Sequence, residues 1–127
     1  MYYAGSMAEG RAEDFVTELH SLGEMREWVA AQPPGVLACV NVSTRSDSCC
    51  IKVYPAVVAL AKNFRGVVNF ARIVADESEV AAEVFREFQV REVPSFLFFR
   101  GGKEVHRFAT SSRADLLGQV LQATGGP

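Results

Sequence analysis

The sequence predicts an α/β layered domain with a central mixed sheet, helices on both faces and the element order βαβαβαββα. Three observations carry this. An uninterrupted apolar run at residues 36–40 has strand length and no polar face, as a strand covered on both sides requires. Apolar residues then recur at helical spacing from about residue 49 to 64. Phe96-Leu97-Phe98-Phe99 and the segment 104–108 flank Gly101-Gly102, the pattern of two antiparallel strands joined by a tight turn. Crossover helices impose parallel pairing and a glycine turn permits an antiparallel pair, so the sheet is mixed.

Each element has its own signal. Residues 15–19 alternate apolar and polar and read as a short first strand. Leu22, Met25, Trp28 and Val29 share one helical face, and Pro33-Pro34-Gly35 stops that helix. After the strand at 36–40, the polar stretch 43–48 leads into a long helix with Val53, Val57, Leu60, Ala61 and Phe64 inward and Pro55 as a kink. Residues 67–75 form the third strand, and Asp76-Glu77-Ser78 supplies the cap for a helix burying Val80, Val84 and Phe88. Ser112 caps the last helix, with Leu116, Leu117, Val120 and Leu121 inward.

At 127 residues the chain is expected to form one domain, over residues 11–127, preceded by a disordered tail at 1–10. A formal net charge of -2 gives no electrostatic case for nucleic acid. No apolar run approaches the ~20 residues that span a bilayer, so no membrane partner is expected. Three cysteines, two of them adjacent, make no disulfide framework and favour a reducing, cytoplasmic setting. Asn41-Val42-Ser43 matches a glycosylation sequon but lies at the buried end of a strand. His20 and His106 fall on separate strands without zinc spacing, and His106 is expected to face solvent.

Glu92-Val93-Pro94-Ser95-Phe96-Leu97-Phe98-Phe99, the Gly101-Gly102 turn, the strand at 36–40 and Cys50 five residues before Pro55 occur in the order of a thioredoxin domain. From about residue 35 to 123 the chain resembles that family, and the resemblance implies the thioredoxin fold. It also implies a cis peptide between Val93 and Pro94 in a loop, Val93, Pro94 and Ser95, that faces the active site and binds extended peptides. Aligning Pro55 with the family's helix proline places Asp47-Ser48-Cys49-Cys50 on the Cys-x-x-Cys quartet. Asp47 then stands for the attacking cysteine and Cys50 for the resolving one. Ser46 replaces the usual tryptophan, Asn41 the buried aspartate, and Ala109 a glycine.

A carboxylate at a helix start caps it but attacks no disulfide, so Asp47 reads as a capping group and the site as degenerate. Cys50 reads as a small core residue and Cys39 as strand packing. Cys49 is the more reactive candidate: the first helical turn favours the thiolate of an exposed sulfur, and Lys52 adds positive charge nearby. Two functions follow. The first is a redox-inactive module gripping a protein or extended-peptide partner, similar to the thioredoxin domains of multidomain monothiol glutaredoxins and to phosducin-like proteins. The alternative is a monothiol oxidoreductase in which Cys49 exchanges with glutathione or a partner thiol. Sharing an iron–sulfur cluster through Cys49 ranks third, because the Cys-Gly-Phe-Ser type of site is absent; no cofactor is expected.

Overall fold

A five-stranded sheet in the order β1-β3-β2-β4-β5 organises the protein, built from β1 (Val16–Leu19), β2 (Leu37–Ser43), β3 (Val68–Val74), β4 (Ser95–Arg100) and β5 (Lys103–Ala109). The computed structural model describes residues 11–125, so the expected tail at 1–10 and the last two residues lie outside the described residues. Three α-helices connect strands, α1 (Leu22–Ala31), α2 (Ser48–Asn63) and α3 (Glu79–Glu87), and a fourth, α4 (Arg113–Ala123), follows β5. This is the element order that the sequence pattern implies. β1 and β2 run parallel to β3, whereas β4 is antiparallel to both β2 and β5.

The sheet separates two apolar layers. On one side α1 and α3 bring Met25, Val29, Ala81 and Val84 against Val40, Val42, Ala71, Ile73 and Leu97. On the other, α2 and α4 bring Val53, Val57, Leu60, Leu116 and Val120 against Cys39, Phe70, Phe96 and Phe98. Side chains alternate across a strand, so β2, with helices on both faces, is buried along its whole length.

Several boundaries and facings differ from the sequence expectation. The second strand continues past Val40 to Ser43, because each residue to Ser43 finds a partner on β3 and Ser43 pairs with Val74. Val80 is 52% exposed, since Ala81 and Val84 take the inward face of α3. Leu117 and Leu121 are 44% and 42% exposed, leaving Leu116 and Val120 as the buried face of α4. His20 lies just beyond β1 rather than on a strand. His106 is half-buried: its Nε2 is 2.9 Å from Gln119 Oε1, and its ring packs on Phe98 and Phe108.

Helix α2 continues through Pro55. Proline removes one ladder donor, whose acceptor in a regular helix is the carbonyl of Ile51. The peptide between Val93 and Pro94 is cis.

Candidate functional site

The parallel pairing of β2 with β3 delivers the ends of both strands to one edge, where Ser43 faces Val74 and the Ala75 N–H donates to the Ser43 carbonyl at 2.8 Å. From there the chain runs through residues 44–47 into α2. Asp47 is the N-cap of that helix: its extended backbone (φ -98°, ψ 118°) lets Oδ1 accept from the Cys49 N–H at 2.8 Å. A carboxylate here satisfies an N–H that has no partner within the helix and faces the positive end of the helix dipole. The Cys50 N–H donates to the Asp47 carbonyl at 3.1 Å.

The two adjacent thiols have different surroundings. Cys49 is exposed; Cys50 is 5% exposed. The Sγ of Cys50 accepts from the Thr44 N–H at 3.4 Å, and burial pushes its thiol above the ordinary value while that N–H pulls it back in part. Cys39 lies wholly within the α2–α4 layer, and burial raises its thiol well above the ordinary value. Ser48, the first helical residue, is exposed.

Cys49 opens onto a shallow depression of about 210 Å³ that it shares with Glu92, Val93, Pro94, Ala109, Thr110 and Ser111. The loop from α3 to β4 and the end of β5 form its far wall, tied together where the Thr110 N–H donates to the Pro94 carbonyl at 3.3 Å. Ser95 is buried, and its hydroxyl donates to the Glu92 carbonyl. The structure thus brings Cys49 together with Val93 and Pro94, two of the three residues expected in the binding loop. It does not bring Cys50 there.

Cys50 lines a different opening, of about 330 Å³, with Thr44, Arg45, Glu18, Arg72 and Glu77. Arg72 is engaged there: it pairs with Glu18 at 2.6 Å and its guanidinium lies 4.0 Å over the Tyr54 ring. Asn41 is 1% exposed, and its Nδ2 donates to the Ser95 carbonyl at 3.3 Å. An amide at that position does not ionise near neutral pH, so it offers no acid–base assistance.

Sequence reasoning passed over Asp76 except as part of a helix cap, a role that Ser78 fills. The Asp76 carboxylate instead accepts from the N–H groups of Arg45 (2.7 Å) and Ser46 (3.2 Å). These bonds, that from Arg45 foremost, hold its carboxyl below the ordinary value. No local pattern reports this role: Asp76 lies just past β3, and only the pairing of β3 with β2 sets it beside the loop that leaves β2. Beside it, His20 Nδ1 lies 2.8 Å from Glu77 Oε2. Among the described residues, no group of three or more His, Cys, Asp or Glu is placed to hold a metal ion.

The Thioredoxin family model matches residues 39–123, a span that contains all three cysteines, the Asp47 cap and the cis-proline loop. The chain belongs to the thioredoxin family. It is 32% identical over 111 residues to the thioredoxin-like protein CDSP32, chloroplastic, of Arabidopsis thaliana, an alignment covering 87% of this chain and 37% of that protein. This chain therefore spans little more than a third of that relative's length. It is 29% identical over 106 residues to thioredoxin H-type of Fagopyrum esculentum, covering 83% and 88% of the two chains. The structure of Fasciola hepatica thioredoxin superposes with a TM-score of 0.73 at 27% identity, over 83% of this chain and 96% of the other. No helix among the described residues is long and apolar enough to cross a membrane.

Proposed function

We propose that residues 11–127 act as one thioredoxin-family domain that engages an extended protein segment along Val93, Pro94 and Ser95 and captures a cysteine of that segment on Cys49. The observation that carries this reading is the exposed Cys49 sharing one depression with Glu92, Val93 and Pro94 while Cys50 is buried and lines a different opening. The Cys49 thiolate attacks one sulfur of a partner disulfide; the S–S bond breaks, a mixed disulfide forms and the other partner sulfur leaves as thiolate. A second thiol, glutathione or a partner cysteine, then attacks the mixed disulfide and frees Cys49.

The site is degenerate in this reading. Asp47 occupies the position where a dithiol enzyme carries its attacking sulfur, and a disulfide between Cys49 and Cys50 would need a strained ring inside the first helical turn. The exchange is therefore monothiol. Relatives named as thioredoxins favour a redox role and give a redox-inactive adaptor no support. The adaptor reading rests on three departures from the family pattern, Asp47, Ser46 and Asn41, of which Asp47 completes the helix cap without any sulfur. A chloroplastic relative likewise gives the cytoplasmic location no support, and a reducing compartment is all that the free thiols favour.

Capture from a lysate, with thiols blocked at lysis, tests this reading. Disulfide-linked partners are expected with wild type and with Cys50→Ser, and none with Cys49→Ser. Partners that co-purify with Cys49→Ser under native conditions yet separate from it on non-reducing denaturing gels would instead establish the adaptor. Insulin reduction at the rate of an intact Cys-x-x-Cys enzyme would contradict both.

A further inference from the structure

We infer that Asp76 is the positioning residue of the Cys49 site, holding residues 44–46 so that the start of α2 presents Cys49 to the Val93–Pro94 loop. This rests on the mixed-disulfide reading above. Three consecutive backbone N–H groups leave β2 without strand partners and turn to side chains. Thr44 donates to Cys50 Sγ at 3.4 Å, Arg45 to one carboxylate oxygen of Asp76 at 2.7 Å, and Ser46 to the other at 3.2 Å. The next residue is Asp47, whose carboxylate takes the Cys49 N–H. A continuous set of bonds thus runs from the end of β3 to the reacting residue.

The anchor matters because little else restrains this loop. Arg45 and Ser46 are exposed, so no packing fixes their backbone. Asp76 comes two residues after the end of β3, and the bond between the Ala75 N–H and the Ser43 carbonyl brings it level with the loop. A charged acceptor spanning two adjacent N–H groups is stronger and more directional than a neutral one. Removing it lets residues 44–47 sample other conformations, and the N-cap that orients the first turn of α2 moves with them. The groove wall at Glu92, Val93 and Pro94 is built from other elements and stays in place. Cys49 keeps its exposure but loses its register with a bound segment.

The test uses the full chain, with Asp76→Ala and Asp76→Asn. One probe is an extended peptide whose single cysteine is carried as a mixed disulfide with thionitrobenzoate. Attack by Cys49 on the peptide sulfur releases coloured thionitrobenzoate anion and leaves the peptide on Cys49. The second probe, iodoacetamide, alkylates any exposed thiol and needs no orientation. Asp76→Ala is expected to slow the peptide reaction roughly tenfold, a cost typical of modest misplacement, while alkylation of Cys49 stays within about twofold. Amide exchange at Arg45 and Ser46 should rise in the same variant. Asp76→Asn keeps one acceptor oxygen and should fall between wild type and Asp76→Ala.

Unchanged peptide kinetics in Asp76→Ala, with the Arg45 and Ser46 amides exchanging faster, overturns the positioning role. Equal slowing in both variants with unaltered amide exchange also overturns it, in favour of a long-range charge effect. Wild type that alkylates readily yet never releases thionitrobenzoate from the peptide sinks the mixed-disulfide reading itself. Those two failures are therefore distinguishable.

Discussion

Two neighbouring side chains divide the work at the start of α2: Asp47 stabilises the helix and Cys49 is left open to chemistry. The Asp47 bond to the Cys49 N–H is a standard N-cap contact, and such caps contribute about 1 kcal/mol. Asp47→Ala is accordingly expected to lower unfolding free energy by about 1 kcal/mol, read as a shift in urea midpoint at unchanged slope. Asp47→Ser, which keeps an oxygen acceptor, should recover most of that loss. An Asp47→Ala protein as stable as wild type would show that the carboxylate is there for another reason. At this scale the sequence was informative about identity and silent about direction. The spacing of Cys50 and Pro55 placed Asp47, Cys49 and Cys50 in the helix start, but one step along a helix turns a side chain by about 100°, and only the fold shows which surface each sulfur meets. Asp76 escaped notice because its partners are 30 and 31 residues away, and local patterns do not report such bonds.

Among the elements, strands and helices were largely legible, since burial imposes period-two and period-3.6 patterns on the chain. Facing was less so at Val80, Leu117 and Leu121. Apolar residues are common on protein surfaces, so a helix with surplus leucines does not declare which of them it buries. Helix α4 offers a direct check. Leu116→Ala, which removes a fully buried side chain from the α2–α4 layer, should cost about 2–5 kcal/mol, whereas Leu117→Ala should change stability by less than about 0.5 kcal/mol. Comparable losses at both would put Leu117 in the core, against the observed facing.

The contact between His20, just after β1, and Glu77, just before α3, makes a second prediction at this scale. The hydrogen bond that the imidazole donates to the Glu77 carboxylate chiefly, with the charge of that carboxylate, raises the His20 imidazole above 6.5. A base raised on folding stabilises the protein while protonated, so this contribution is present below about pH 6.5 and fades as pH climbs through the raised value. Thermal midpoints of wild type and His20→Gln should therefore converge as pH rises from about 6.5. Identical pH dependence in the two proteins would remove the linkage. Both groups reach solvent, so the effect is small.

For the whole molecule, the sheet with an apolar layer on each face supplies a rigid frame, and the site is where that frame runs out. Strands β2 and β3 end together, α2 starts there, and the loop before β4 returns to the same edge. This convergence was legible only through resemblance to a family, because nothing in local periodicity says that residues near 49 and 94 meet. Once the register is fixed, the departures from the family pattern carry the functional argument. With a carboxylate at 47 and a buried sulfur at 50, one open thiol remains beside the Val93–Pro94 loop. The central claim is that Cys49 alone, in the folded protein, forms mixed disulfides. Intact-mass and peptide mapping after native incubation with oxidised glutathione tests it most directly. The account predicts a single glutathione adduct, located on Cys49 and reversed by reductant; an adduct on Cys50, or none on the folded protein, would contradict it.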